Sequence, residues 1–390
     1  MKIWQSTWSP AAGWTPGVPE ENAHVAELVF AFGSVGVWRA PGMLEEFQRR
    51  YPAAQVVGCS TAGEIFDTRV LDDSLVATAV RFDRTALRTA KVELAEMAES
   101  YHAGERLARL LPATVPATDG AGGEVAMTHV FVFSDGLHVN GSDLVRGLAH
   151  CLPADVPVTG GLAGDGARFS ETLVVCNAAP ASRLIAAVAL YGRGLRVGFA
   201  SLGGWDPFGP ERVITKARGN VLYELDGHSA LGLYEKYLGE QAQDLPASGL
   251  LFPLSLRLKA GDTPVVRTIL AIDRAAQTMT FAGDVPQGAY ARLMKANFDR
   301  LIDGAAGAAR ASYQAVGSAT PELALLISCV GRKLVLRQRV EEEVEGVRDV
   351  LGTGAVLTGF YSYGEISPFT PGAKCELHNQ TMTITTLSEK

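Results

Sequence analysis

The feature that most restricts how this chain can fold is a repeat. An apolar run, LVFAFGS (28–34), leads through a helical segment beginning at Pro41 to VVGCSTAGE (56–64) and then to another apolar run, LVATAVRF (75–82). The same order returns as HVFVFSDG (129–136), a helix with Leu144, Val145, Leu148 and Leu152 on one stripe, VPVTGGLAGDG (156–166) and LIAAVALYG (184–192). A looser third copy closes the chain: LALLISCVGR (323–332), a helix striped by Val340, Val344, Val347 and Leu351, AVLTGFYSYGEI (355–366) and TMTITTL (381–387). Ser34 to Glu64 and Asp135 to Asp165 both span 30 positions. That agreement favours equivalence over coincidence.

Strand, helix, strand with apolar first and last members is the pattern of parallel strands joined by a right-handed crossover. The expected fold is therefore α/β: mixed, largely parallel sheets with crossover helices, built from repeated strand-helix-strand-turn-strand units in two halves. Between the second and third copies lie a Pro/Gly-rich break, GWDPFGPE (204–211), a hairpin around Gly219-Asn220, a helix with Leu231, Tyr234, Tyr237 and Leu238, and a second hairpin over 265–284. This divides the chain into an N-terminal segment (1–27), a first half (28–204) and a second half (205–390). The stretch PATVPATDGAGGE (112–124) reads as a flexible surface loop, and Glu341, Glu342 and Glu343 read as the solvated face of their helix.

Composition narrows the function classes. The chain is 47% hydrophobic and 20% charged, the balance of a folded protein, and its 390 residues exceed what one core usually organises. The net charge of −7, with 35 Lys and Arg dispersed along the chain, leaves no phosphate-binding footprint, so nucleic acid is not an expected partner. No run approaches the roughly 18 apolar residues of a membrane span, and the N-terminus does not read as a signal peptide. Five widely spaced cysteines without CxxC argue against a disulfide framework or structural zinc. The expectation is a cytoplasmic protein with reduced thiols. The absence of CxxCH excludes covalently attached haem but not haem held non-covalently.

Taken in order, GCSTAGEI, FSDGLHVNG, TGGLAGDG, ITKARGN with ELDG, VVRTIL, and GFYSYGEISP followed by ELHNQTMT resemble the FIST family from about residue 28 to the end. The resemblance implies an intracellular signal-input module that binds a small ligand. With both FIST halves filling the chain, it implies a separate signalling partner, for which a histidine kinase is the usual expectation. One branch of the family, the NosP-type proteins, binds haem and senses nitric oxide, which makes non-covalent haem b, reporting nitric oxide, the first ligand expected here, with a polar metabolite such as an amino acid as the alternative.

Loops at the carboxyl ends of strands are where α/β sheets hold ligands. The three Gly-acid turns therefore come first. Glu64, Asp165 and Glu365 can meet a ligand ammonium, as in a sensor of an amino acid or other polar metabolite, or can tie their own turns to nearby amides; threefold recurrence favours the second. Asp135 and Asn140 share the loop DGLHVNGSD, where Asn140 or Ser142 can cap the following helix. Gly161 belongs to a glycine-rich turn that can line a cleft but lacks the Lys-Ser/Thr ending of a phosphate loop. Haem needs an axial ligand, and His378 and His138 are the candidates, His378 by an alternation that puts Glu376, His378 and Gln380 on one strand face. A cysteine-dependent enzyme would need a base beside Cys59, a thiol whose default at the end of an apolar strand is to be buried and inert. A pure interaction scaffold remains the other alternative.

Overall fold

The computed structural model describes all residues except 18, 119, 121, 260, 318, 370 and 371. Each repeat is a mixed sheet containing one parallel pair. These pairs are Leu28–Gly33 with Gln55–Ser60, Glu124–Ser134 with Val158–Leu162, and Leu323–Cys329 with Val356–Ser362. An antiparallel strand flanks each first member: Leu75–Arg81, Leu184–Tyr191 and Met382–Glu389. A fourth strand completes each set: Lys2–Ser9 beside Leu75–Arg81, Ala86–Glu93 beside Leu184–Tyr191, and Leu195–Leu202 beside Met382–Glu389. The N-terminal segment is thus an integral edge of the first sheet.

The chain leaves each sheet at its Gly-acid turn and crosses to another unit. After the first turn, Glu64–Phe66 pairs with Val356–Ser362 of the third unit. After the second, Val174–Cys176 pairs with Gln55–Ser60 of the first. After the third, Gly364–Pro368 pairs with Val158–Leu162 of the second, and Cys375–His378 extends that edge. The three sheets are therefore separate but cyclically linked, each closed by an edge borrowed from a neighbour. This covers strand edges that would otherwise be open to unwanted pairing.

A shared core explains why the sheets face one another. Phe30 and Phe32 of the first unit, Phe131 and Phe133 of the second, and Leu325, Ile327 and Phe360 of the third are all buried in one cluster. Ring centroids lie 5.4 Å apart for Phe30–Phe131, 5.5 Å for Phe32–Phe133 and 4.7 Å for Phe32–Phe360. Each such pair contributes about 0.5–1.5 kcal/mol beyond area burial. Close approach of the parallel strands requires a glycine in every unit: a Cβ on Gly58, Gly160 or Gly359 would lie 1.7, 1.8 or 1.7 Å from a carbonyl oxygen of the neighbouring strand. Helices cover the outer faces, Met43–Arg50 on the first sheet, Ser100–Arg109 and Gly141–Cys151 on the second, Phe298–Ala315 and Val340–Leu351 on the third.

The chain leaves this body after Leu195–Leu202 and returns to it later. Residues 206–295 contain the strands of a fourth, antiparallel sheet, including the two foreseen hairpins, with a core of its own around Leu222, Tyr234, Leu254 and Phe281. The remainder returns to complete the threefold body. The stretch 112–124 is not simply a loop: Thr114–Pro116 pairs with Glu124–Ala126 as a hairpin arm, while residues 119 and 121 lie outside the described residues. Glu343 also departs from its expected solvated face. It is fully buried, with Arg332 donating to its Oε2 at 3.0 and 2.8 Å and the Ser328 and Tyr361 hydroxyls donating to its Oε1 at 3.0 and 2.6 Å.

Candidate functional site where the three turns meet

The sheet crossings bring the three turns into mutual backbone contact. The Ala62 amide donates to the Tyr361 carbonyl at 2.8 Å and the Tyr361 amide to the Gly63 carbonyl at 2.8 Å. Gly164 donates to Ser60 at 2.9 Å, and Tyr363 to Leu162 at 3.1 Å. Glu64, Asp165 and Glu365 are all buried beside these bonds.

Their surroundings differ. Glu64 accepts from two hydroxyls, Thr61 and, at 2.7 Å, Ser74. Burial pushes its carboxyl up to about 7 against the pull of those hydroxyls. Glu365 accepts from Ser362 Oγ at 2.6 Å, Thr381 Oγ1 at 2.9 Å and the Thr381 amide at 3.2 Å, and burial raises it to about 8. Asp165 instead accepts the amides of Phe169, Ser170 and Glu171 at 2.8–3.0 Å, together with the Ser170 and Tyr363 hydroxyls. Burial works to raise its carboxyl, but the Tyr363 hydroxyl and the loop amides outweigh it and hold it below the ordinary aspartate value. All three acids are engaged by protein donors, the arrangement of turn anchors.

The loop after the second unit's first strand behaves similarly. Asp135 accepts the amides of Leu137, His138 and Arg183 and the Thr172 hydroxyl at 2.5–2.9 Å, and its Oδ2 lies 3.0 Å from His138 Nδ1. Burial raises the Asp135 carboxyl, and the Arg183, Leu137 and His138 donors reverse the sign. Asn140 caps Gly141–Cys151 by accepting from Ser142 and Asp143, and its Nδ2 reaches Asp284 of the fourth sheet at 3.3 Å. Gly161 is a packing position: a Cβ there would meet Ile327 at 2.8 Å and the Gly364 carbonyl at 3.1 Å. Cys59 is fully buried among Phe30, Phe32, Val57 and Val174, and burial holds its thiol well above the ordinary value.

The segment His378-Asn379-Gln380 departs from this pattern: single buried polar atoms such as Tyr51 Oη, His129 Nδ1 and Tyr234 Oη also lack a hydrogen bond, but here five such atoms fall on three consecutive residues. The strand ends at His378, and Gln380 takes φ of 63°, so the expected alternation of Glu376, His378 and Gln380 along one face does not continue. His378 is buried, its Nε2 lies 2.7 Å from the Ser367 carbonyl, and its ring edge packs on Phe369. Burial lowers its pKa to about 4, so the ring is neutral, with Nε2 carrying the proton and Nδ1 the lone pair. Nδ1 has no partner; neither do Asn379 Nδ2 and Oδ1 or Gln380 Nε2 and Oε1, although all three residues are fully buried. Buried polar side-chain atoms are overwhelmingly paired in folded proteins, and each orphan costs about 1–3 kcal/mol. Gly331 makes the room: a Cβ there would fall 2.4 Å from Gln380 Nε2. The sequence displayed this cluster openly in ELHNQTMT, but only its histidine was read as functional. The orphaned amides depend on burial, which neighbouring polar residues conceal.

Haem is poorly matched to His378, whose Nε2 is committed to a backbone carbonyl and whose Nδ1 is enclosed. His138 is half-buried and has its Nδ1 held by Asp135, the orientation that metal-bound histidines commonly show. Neither histidine and none of the three acids lines either of two open grooves, one of about 440 Å³ beside Gln55 and Arg88 and one of about 740 Å³ beside Leu251 and Phe298. Among the described residues there is no cluster of three or more His, Cys, Asp or Glu placed to hold a metal ion, and no helix long and apolar enough to cross a membrane.

Three repeated units that lend one another sheet edges, with their turns and one orphaned polar segment gathered at the crossings, define an α/β protein of interlocked repeats. The chain belongs to the FIST family: the FIST N domain matches residues 27–228 and the FIST C domain residues 230–368. FIST domains are sensory signal-transduction domains that bind small ligands. The curated proteins contain no match to this sequence. Among solved structures, the chain is similar to a cyanuric acid hydrolase from A. caulinodans, with 9% identity, a TM-score of 0.38, and coverage of 100% of this chain and 99% of the other.

Proposed function

We propose that this chain is a sensory input protein that binds a small polar metabolite at His378-Asn379-Gln380 and passes the resulting change to a separate signalling protein, a histidine kinase being the expected type. The observation that carries this reading is the set of five buried, unpartnered side-chain atoms on three consecutive residues. A polar ligand would supply the missing bonds. Glu64, Asp165 and Glu365 are less suited to receive a ligand ammonium, since their own turns already engage them. Signalling further requires that the ligand bind one conformation better than another.

Thermal unfolding in the presence of a metabolite panel tests the proposal. Saturable stabilisation that is lost in Asn379→Leu and Gln380→Leu is expected; stabilisation that both variants retain would place the ligand elsewhere. The His138–Asp135 pair favours a second reading, haem for nitric oxide sensing, with His138 as the axial ligand. There the bound iron would supply the nitric oxide site, and Asp135 would orient the imidazole. An absorption spectrum during haem titration decides: a stoichiometric Soret band abolished by His138→Ala would favour haem over the polar metabolite.

A further inference from the structure

The chemistry around His378-Asn379-Gln380 says more about what can bind there. The open groups are a lone pair on His378 Nδ1 and the two complete carboxamides of Asn379 and Gln380, which together offer donors and acceptors but no charge. The nearest buried cations are compensated. Arg332 is paired with Glu343 and also donates to the Gly203 and Leu301 carbonyls at 2.7 Å each. Arg267, also buried, donates to the carbonyls of Asp284 and Leu377, and the carboxylates of Glu376 and Asp284 lie within electrostatic reach. An anion would therefore have to shed its water with no free cation to receive it, and for a cation the neighbouring acid, Glu365 opposite His378, is already engaged by Ser362 and Thr381. An uncharged molecule with adjacent donor and acceptor meets a carboxamide through two bonds at far lower cost.

The backbone of the same segment is contacted from within the threefold body, where Arg332 Nη1 lies 3.5 Å from the Gln380 carbonyl, and also from the side of the fourth sheet. At one end, Trp205 Nε1 donates to the Gln380 carbonyl at 2.8 Å; at the other, Arg267 Nη1 donates to the Leu377 carbonyl at 3.0 Å. Trp205 stands where the chain departs for the fourth sheet, and Arg267 belongs to that sheet. Side chains without partners thus occur on a short segment whose backbone is held by Arg267 of the fourth sheet and by Trp205 on the chain leading into it.

We infer that His378-Asn379-Gln380 is an enclosed site for a small uncharged ligand of the carboxamide, lactam or nucleobase type, and that its occupancy is transmitted to the fourth sheet through the Trp205 and Arg267 clasp. The inference rests on the polar-metabolite reading above and specifies its chemistry. Bonds formed by Asn379 and Gln380 move or stiffen the segment whose carbonyls the clasp holds, so the fourth sheet senses a ligand it does not touch.

The test combines two measurements on the full chain. First, Asn379→Leu and Gln380→Leu are unfolded without ligand. Both should be more stable than wild type, because each removes orphaned polar atoms at similar volume; lower stability in both would mean that the amides serve the fold through ordered water, and would overturn the inference. Second, nicotinamide and uracil serve as neutral probes, with glutamate and arginine as charged ones. A saturable rise in Tm with a neutral probe, absent in both leucine variants and accompanied by a change in Trp205 emission that Trp205→Phe removes, is the expected result. Binding of a charged probe that the leucine variants abolish would overturn the uncharged class while leaving the polar-metabolite sensor standing. No saturable shift with either neutral probe, or a shift without a Trp205 response, would also overturn the inference as stated. A haem spectrum that depends on His138, with the leucine variants unstabilised, would remove both readings.

Discussion

The first and third Gly-acid turns are built alike, and the second is not. In the outer two, a hydroxyl three residues before the acid, Thr61 or Ser362, and another at the start of the returning strand, Ser74 or Thr381, both donate to the carboxyl. Strand register makes Ser74, Leu184 and Thr381 equivalent, and each follows a residue with positive φ, 51° at Asp73, 56° at Arg183 and 63° at Gln380. In the second unit, Leu162 and Leu184 occupy the two hydroxyl positions, and Asp165 turns to the three amides of 169–171 together with the Ser170 and Tyr363 hydroxyls, whereas Glu365 meets one amide, that of Thr381, and Glu64 none. The difference teaches how an acid can be kept in an interior. Amides donate only, so they fix a carboxylate in its charged form; hydroxyls can donate or accept, so they tolerate either form.

The largest test of this contrast exchanges acid for amide. Asp165→Asn places an NH₂ group against fixed N–H donors, and a loss of about 3 kcal/mol is expected. Glu64→Gln meets hydroxyls that can reverse their bonds, and less than about 1 kcal/mol is expected. Urea denaturation of the two variants at neutral pH measures both. Equal losses would break the distinction between the turns.

Next in size is the pH response. Glu64 and Glu365 titrate near 7 and 8 in the folded protein against a reference of 4.5, so folding favours their protonated forms. Their contribution is fully present below the unfolded value and is lost as pH rises through the folded values. Asp165 has the opposite sign: its contribution is present above its reference of 3.8 and disappears as pH falls through its lower folded value. Stability should therefore decline between about pH 5 and 8, and the double variant Glu64→Gln, Glu365→Gln should flatten that decline while leaving the acid limb intact. A decline unchanged in the double variant would assign it to other groups.

Much of this architecture was legible from residues, for reasons that also explain the omissions. The 30-position spacing and the apolar runs located the three units, since a strand buried on both faces must be apolar throughout. Edge exchange was hidden, because Glu64–Phe66 and Val174–Cys176 are three-residue strands whose partners lie far away in sequence. Glu343 was misplaced with its acidic neighbours, yet it sits three residues after Val340 and four before Val347, on the buried stripe; what sequence could not supply was Arg332 on the preceding helix. The bond from Tyr363 of the third unit to Asp165 could be foreseen only with the edge exchange known.

The smallest prediction probes one hydroxyl. Ser74→Ala gives the first turn the apolar character found at Leu184 in the second, while Glu64 keeps Thr61 as a donor. A hydrogen bond to a neutral carboxyl is worth about 1 kcal/mol and one to a carboxylate about 1.5–3 kcal/mol. The cost of Ser74→Ala should therefore be about 1 kcal/mol where Glu64 is protonated and should grow as pH passes about 7, where the wild-type acid ionises. Unfolding midpoints at mildly acidic and mildly alkaline pH would show this as a widening gap between variant and wild type. A constant gap would mean that Glu64 keeps one charge state throughout, and that the hydroxyl-lined turn fixes its acid as firmly as the amide-lined one does.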